Sequence, residues 1–263
     1  MPGFLSLPPE LIFQVYYSLD TIGDAYFLSQ TCQQTYSIFR RPQSQPKIFE
    51  SIIDNIIQDA APTEVWLEAQ FGPGSLWQPT EAELPVDLTD KETIEFLLDV
   101  GFPSVNLPRM GFESTDLRKF ADEGERIYGC TAYDLYTMFE LDDFNEVPVL
   151  SFCFGDLNYQ LAMLNNKNSV IFLYEPGAGH YLDCNKGSVA FGLDSFAVLL
   201  GMVVAVTKDL RKASPDICPK ELERRAEVLG CPLDILRGRL RDYDFLADED
   251  SEFWDELFSN LLK

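Results

Sequence analysis

A single histidine, His180 in the segment "EPGAGHYLDC", is the residue on which acid–base or nucleophilic catalysis would have to rely. A Ser-His-Asp or Cys-His site needs a base beside its nucleophile and a third group that orients the base. Cys184 follows four residues later, but the sequence indicates no third group. We therefore expect His180 to be a strand residue beside a turn. We expect no catalytic residue and no enzymatic activity in this chain.

The other residue types that hold cofactors or metals lack the spacing that such sites require. The six cysteines are scattered, and the closest two are 13 residues apart. They are Cys32, Cys130, Cys153, Cys184, Cys218 and Cys231. This spacing favours neither a zinc site nor a disulfide framework. We expect reduced thiols, and hence a cytoplasmic or nuclear protein.

Two glycine-containing segments resemble nucleotide loops only in part. "GAGHYL" lacks the third glycine of a dinucleotide loop, and "FGPGSLW" lacks the Lys-Ser/Thr of a phosphate loop. Paired carboxylates carry little information in a chain with 43 acidic residues. We therefore expect no cofactor and no metal.

The net charge of −23 is unevenly distributed over the 263 residues. Residues 1–47 contain three acidic and three basic residues, so the remaining chain carries the whole net charge. An acidic surface repels nucleic acid and anionic lipid, because binding to phosphates depends on Lys and Arg. A basic protein partner is compatible with this charge.

The sequence predicts neither a membrane span nor a secretory signal. Its longest apolar run, "SFAVLLGMVVAVT" from Ser195, has thirteen residues, which is too short to span a bilayer. The start of the sequence lacks both a basic segment and a small-residue cleavage site. The 46% of apolar residues instead predicts a globular protein with a sizeable core.

The first forty residues predict three short helices. Pro9 suits a first helical position, and Leu11, Val15 and Leu19 recur four residues apart. Asp20 or Thr21 can cap a second helix, and a third helix runs through Cys32, Tyr36 and Phe39. The segment "RRPQSQP", with its two prolines, predicts a module boundary.

The segment "LPPELIFQVYYSL" and the helices that follow it resemble an F-box over about residues 4–42. The resemblance implies that one face binds the Skp-type adaptor of a cullin-RING ubiquitin ligase. The residues predicted for that face are Leu7, Pro8, Pro9, Glu10, Leu11, Ile12, Val15, Leu19, Leu28 and Cys32. A trihelical piece of this size buries too little surface to be stable alone, so burial against a partner is physically reasonable. The alternative is that these helices are structural and cover the domain behind them.

The middle of the chain predicts helices and then antiparallel strands. A helix is predicted from about Lys47 to Ala60, and another is predicted by a capping box from Thr89 to Glu92, with Gly101 as its stop. Four strand-like segments follow between Val147 and Asp183. They are "VPVLSFCFG", "YQLAMLN", "SVIFLYE" and "HYLDC", with turn-type residues between them.

The segment "ETIEFLLDVGFPSVNL", the later strands and the helix "LDSFAVLLGMV" resemble the SUKH superfamily over about residues 62–210. That superfamily includes bacterial toxin-immunity proteins, fungal cell-wall regulators of the Smi/Knr type and domains behind F-boxes in some eukaryotic, notably fungal, proteins. The resemblance implies a mixed or antiparallel sheet flanked by helices that binds another protein. It implies no catalytic residue.

Together these patterns predict an α+β protein with four parts. These are an F-box-like module at 1–46, a connecting helix at 47–61, a SUKH-like domain at 62–210 and an acidic helical extension at 211–263. The extension contains two helical segments, "PKELERRAEVLG" and "PLDILRGRLRDY", and a last helix with Phe253, Leu257 and Leu261 four apart. That last helix either docks on the domain or acts as an acidic interaction helix.

The sequence therefore favours a non-enzymatic, substrate-recruiting F-box protein whose SUKH-like domain binds an unknown protein target. The alternative is a SUKH-like regulator or immunity-type inhibitor, unconnected with ubiquitin, whose first helices are structural. A third hypothesis, a hydrolase that uses His180, has no supporting motif.

Overall fold

The computed structural model describes residues 7–85, 88–117, 129–130, 151–175, 185–213, 222–248 and 250–262. Packing divides the chain into two compact units, which we call the helical unit and the sheet unit. The helical unit comprises Met1–Ala60 and Met202–Arg239, with Leu262. The sheet unit comprises Ala61–Gly201 and Leu240–Leu261. The fold class is α+β, as predicted.

The helical unit begins with four helices. They are α1 (Pro9–Tyr17), α2 (Ile22–Gln30), α3 (Gln33–Phe39) and α4 (Ser44–Ile57). Pro9 occupies the first helical position, where its missing N–H costs nothing. The Thr21 hydroxyl accepts a hydrogen bond from the Asp24 N–H at 3.0 Å and caps α2. The three predicted short helices are confirmed.

The predicted break at "RRPQSQP" is only a tight turn. The Ser44 N–H donates to the Arg41 carbonyl at 2.9 Å, and α4 starts at Ser44 instead of Lys47. Pro46 lies in the first turn of α4, where a proline interrupts no helical hydrogen bond. α4 packs against α1, α2 and α3, so the unit extends past the boundary predicted at residue 46.

Four aromatic rings form the centre of this helical bundle. The ring of Phe39 lies 5.7 Å from that of Tyr16, 5.3 Å from that of Tyr26 and 5.7 Å from that of Phe49. Tyr16, Phe39 and Phe49 are at most 1% exposed. Burial raises the pKa values of Tyr16 and Tyr26 well above their usual range.

The helical unit also contains a late segment of the chain, Met202–Arg239. Two long helices supply it: α7 (Leu193–Ala213) and α8 (Leu222–Tyr243). The prediction of two helical segments divided near Pro232 is wrong, because α8 is continuous through that proline. Burial of Leu233 and Leu236 offsets the hydrogen bond that a proline removes.

A bidentate ion pair lies within the helical unit. The Arg239 guanidinium donates to both carboxylate oxygens of Asp54 on α4, at 2.6 and 3.1 Å. The pair ties the late segment to the first sixty residues, and its planar geometry is one that lysine cannot reproduce.

The sheet unit contains two antiparallel sheets and flanking helices. Its remaining helices are α5 (Glu64–Phe71), α6 (Lys91–Asp99) and α9 (Glu252–Leu262). Its strands are β1 (Leu76–Trp77), β2 (Phe102–Pro103), β3 (Asn106–Leu107), β4 (Phe112–Glu113), β5 (Gly129–Cys130), β6 (Ser151–Leu157), β7 (Gln160–Asn165), β8 (Ile171–Tyr174) and β9 (Asn185–Ala190). β1 pairs with β2. The larger sheet has the order β3-β4-β6-β7-β8-β9, and β5 also pairs with β6.

The predicted capping box at the start of α6 is wrong by one residue. Asp90, not Thr89, caps the helix, and its carboxylate accepts from the Thr93 N–H at 2.9 Å. Thr89 instead donates to the Asn166 carbonyl from its N–H and its hydroxyl. The predicted stop at Gly101 is confirmed: its φ is +88°, and a Cβ there would lie 2.8 Å from the Trp77 carbonyl oxygen.

Three predicted strands are confirmed as β6, β7 and β8. The fourth, "HYLDC", lies outside the described residues. The segment "NKG" begins β9, where Gly187 has a φ of +94° beside an irregularity in the β8–β9 pairing. A glycine in this conformation accommodates such an irregularity without ending the strand.

The core of the sheet unit is built around Phe196 on α7. Its ring lies 5.4 Å from Phe154, 5.3 Å from Phe253 and 5.9 Å from Trp254. α7 starts at Leu193, and the Phe196 N–H donates to the Gly192 carbonyl. No described helix is long and apolar enough to span a membrane.

The last helix, α9, packs into the sheet unit. This confirms docking, which was one of the two alternatives for this helix. Phe253, Trp254 and Leu257 are fully buried, and the Trp254 indole donates to the Val189 carbonyl at 3.0 Å. The buried row of α9 is therefore a core element and does not serve as a free interaction surface.

Candidate functional site

The residues with catalytic or metal-binding potential give no site within the described ranges. His180 and Cys184 lie outside them. The described cysteines Cys32, Cys153 and Cys231 form no disulfide, and no group of described His, Cys, Asp or Glu side chains could hold a metal ion. The candidate site is therefore the predicted F-box face, which lies in the described part of the helical unit.

The Leu-Pro entry to α1 is held in place by α3. The Gln34 side-chain amide donates to the Leu7 carbonyl at 3.1 Å. The Pro8 carbonyl then accepts from the Leu11 N–H at 3.0 Å and the Ile12 N–H at 3.2 Å, which starts the helix. Proline rings and this anchoring reduce the conformational freedom that a partner would have to restrict on binding.

The predicted face divides into exposed, half-buried and buried residues. Pro8, Pro9, Glu10 and Leu11 are exposed, and Leu11 retains 49% of its accessible surface. The half-buried ones are Leu7, Val15, Leu19, Leu28 and Cys32.

Ile12 is a correction to the predicted face. It is 0% exposed and belongs to the core of the helical bundle, in which α1 packs against α3 and α4. Helical spacing alone did not separate Ile12 from its exposed neighbour Leu11.

Cys32 has a structural role as the cap of α3. Its sulfur accepts from the Thr35 N–H at 3.4 Å, while the Thr35 hydroxyl accepts from the Cys32 N–H at 3.2 Å. The hydrogen bonds from the Thr35 side chain and backbone hold the pKa of the Cys32 thiol below its usual value. A capping box of this kind fixes the start of α3 and with it the position of Gln34.

Two further exposed aromatic side chains lie on the helical unit. Phe27 on α2 is 58% exposed, and Tyr36 on α3 is 49% exposed, with the Arg40 guanidinium 5.6 Å from the centre of its ring. The sequence placed Tyr36 on the third predicted helix, as the structure has it. Since Leu11 is exposed on α1, each of the first three helices thus presents one large exposed apolar residue.

The sheet unit carries three exposed aromatic residues, Phe191, Tyr243 and Phe245, which we call the aromatic patch. The Phe191 and Phe245 rings meet edge to face at 4.6 Å, and Phe245 is 64% exposed. Burial, and then the carboxylates of Asp194 and Asp244, raise the pKa of Tyr243. This patch was not predictable from the sequence, because its members follow no helix or strand period.

Asp244 fixes the geometry of the aromatic patch. Its buried carboxylate accepts from the Phe191 N–H at 2.9 Å and from the Ser195 hydroxyl at 2.6 Å. The Leu246 N–H donates to its second oxygen at 3.0 Å. Aromatic rings beside carboxylates suit basic side chains, which bind both ring faces and negative charge.

A comparison with protein-family models found no match, and searches of the curated proteins and of the solved structures found none either.

Proposed function

We propose that this chain is a substrate-recruiting F-box protein. Its helical unit binds a Skp-type adaptor of a cullin-RING ubiquitin ligase, and its sheet unit, which resembles the SUKH superfamily, binds the protein to be ubiquitinated. The observation that carries the proposal is the exposed Pro8–Leu11 entry, whose Leu11 side chain is 49% exposed although it lies in an apolar helix. Exposed apolar groups of this kind are typical of protein-binding surfaces when they cluster.

The mechanism is proximity without chemistry by this chain. Tethering a target beside the ubiquitin-loaded enzyme raises the effective concentration of the target's lysines. We assign the target to the aromatic patch of the sheet unit, since the acidic chain and the rings of Phe191 and Phe245 complement a basic partner.

One observation favours the second candidate, a SUKH-like binding regulator whose first helices are structural. Met1–Ala60 packs in one unit with Met202–Arg239, and Arg239 pairs with Asp54. Deletion of residues 1–45 would therefore unfold the helical unit under either hypothesis, and point variants at the exposed face are needed to separate the two.

The test is an adaptor pulldown with the full chain. L7D/L11D introduces two carboxylates at the Leu-Pro entry. We expect this double variant to capture no Skp-type adaptor, as detected by mass spectrometry of the pulldown. V65D is the matched control, because Val65 is 82% exposed and lies in the sheet unit. Absence of the adaptor from the wild-type pulldown, or equal capture by L7D/L11D, would refute adaptor binding.

The target surface is tested by proximity labelling in cells. We expect F191A/F245A to retain labelling of the adaptor and to lose a subset of the other labelled proteins. If the two labelled sets are identical, the aromatic patch is not the target surface.

A further inference from the structure

The helical unit contains a pocket between α1 and the turn that leads into α4. Its volume is about 570 Å³. Small-molecule sites usually measure about 300–1,000 Å³, so the pocket is large enough for a small organic ligand. We call it the basic pocket, because Arg41 and Lys47 line it.

The two cations are available to a ligand. Both side chains are exposed, and neither makes an ion pair or a hydrogen bond with another residue in the described part of the chain. Acidic residues outnumber basic ones 43 to 20 in this sequence, so two neighbouring basic side chains with no carboxylate partner are unexpected. Arg40 beside them is engaged differently, over the ring of Tyr36. Arginine and lysine directed at one cavity are the usual protein groups for phosphate and carboxylate.

Two aromatic residues also line the pocket. Phe13 and Tyr17 lie one turn apart on α1, and their ring centres are 6.1 Å apart with an interplanar angle of 30°. Both residues line the pocket and are half-buried. The buried fraction holds the rings in place, while the accessible fraction offers apolar surface to a planar ligand.

We propose that the basic pocket binds an organic anion that carries an aromatic ring and a phosphate group. The ring contacts Phe13 and Tyr17, and the phosphate accepts hydrogen bonds from Arg41 and Lys47. The Gln43 amide, which also lines the pocket, is a further polar group for the ligand. Leu11 is not among the residues that line this pocket, and the proposal does not depend on adaptor binding.

The test is isothermal titration of the full chain with three probes: phenyl phosphate, inorganic phosphate and phenol. We expect phenyl phosphate to bind in the high-micromolar range, and each of the two half-ligands to bind about tenfold or more weakly, because each makes only part of the contacts. Added salt weakens the binding of phenyl phosphate, since the cations are exposed. Adenosine monophosphate serves as a further arm: tighter binding than phenyl phosphate indicates a nucleotide as the source of the ring and phosphate.

Variants assign the binding to this pocket. We expect R41Q and K47Q each to weaken phenyl phosphate binding about tenfold, and Y17L to weaken phenyl phosphate more than inorganic phosphate. K167Q is the matched control, because it removes one exposed positive charge in the sheet unit. Thermal melting of each variant checks that the chain is folded. The double variant R41Q/K47Q should bind more weakly still, and if it does not fold, the two single variants provide the answer.

Two results would overturn the proposal. The first is the absence of detectable phenyl phosphate binding by the wild-type chain at low salt. The second is binding that R41Q and K47Q leave unchanged, or that K167Q weakens equally, because the interaction would then reflect non-specific charge.

Discussion

Leu11 and Ile12 are adjacent apolar residues of α1. The structure predicts that alanine at Ile12 mainly lowers stability, whereas alanine at Leu11 mainly weakens adaptor binding. Ile12 is 0% exposed. Removing a fully buried isoleucine side chain costs about 2–5 kcal/mol, because the transfer free energy is lost and a cavity remains. Leu11 is 49% exposed. Full burial of a leucine contributes about 1.5–3 kcal/mol, so roughly half of it, about 1 kcal/mol, stabilises the free protein and the other half becomes available on binding.

The assay combines stability with adaptor affinity. Thermal unfolding followed by circular dichroism should show a decrease of about 10 °C for I12A and about 3 °C for L11A, at roughly 2–4 °C per kcal/mol in a chain of this size. Titration with a purified Skp-type adaptor at a temperature where both variants are folded should show the reverse order. L11A should weaken binding about five- to tenfold, which corresponds to about 1 kcal/mol, and I12A should leave the affinity close to that of the wild type.

The reasoning fails if the two variants behave alike. An equal loss of stability would mean that Leu11 is a core residue, and its exposed fraction would carry no binding energy. Unchanged adaptor affinity in L11A, with a folded protein, would remove Leu11 from the binding face.

Two further predictions concern the sheet unit, with a control glycine in the helical unit. G101A should lower the melting temperature by several degrees, at a cost on the order of 1–3 kcal/mol. The reason is that alanine is strained at a φ of +88° and its Cβ meets the β1 backbone. G238A is the control: nothing lies within 4 Å of its Cβ, so it should be neutral or slightly stabilising. Burial, together with the charges of Glu113 and Asp116, raises the pKa of Asp156 despite a hydrogen bond from a backbone N–H. Because the folded-state pKa exceeds the unfolded one, the stability contributed by this carboxyl is present at acidic pH and is lost as pH rises through the folded pKa. D156N should therefore raise the melting temperature slightly at pH 7 and not at pH 3, and a pH-independent shift would show that removal of the charge is not the cause.

Signals confined to a few consecutive residues predicted local structure well. Pro9 at a first helical position, Gly101 at a helix end and the alternation in β6 to β8 all led to the correct elements. In each case the cause is local, since a proline ring, a positive φ or a two-residue period acts within a few residues.

Features that depend on distant contacts were not predictable in the same way. The continuity of α8 through Pro232 relies on the burial of Leu233 and Leu236, which no local pattern reports. The separation of Leu11 from Ile12 likewise depends on how α1 packs against α3 and α4. The sequence therefore predicted the helix α1 but not the division of its residues between core and surface.

The aromatic patch and the basic pocket show the same limit. Phe191 and Phe245 are 54 positions apart in the chain and meet at 4.6 Å. Phe13 and Arg41 line one cavity because the turn before α4 returns the chain to α1. Sites assembled in this way become visible only when the packing of helices and strands is known.

The central claim is adaptor binding by the helical unit, and the most direct measurement is isothermal titration of the purified full chain with a purified Skp-type adaptor. We predict one-to-one binding with a dissociation constant of about 1 μM or lower, corresponding to about −8 kcal/mol, with at least tenfold weaker binding for L11D and wild-type affinity for V65D. Absence of binding by the wild-type chain at an adaptor concentration of about 100 μM, more than tenfold above the expected constant, would contradict the claim and leave the first helices with a structural role alone.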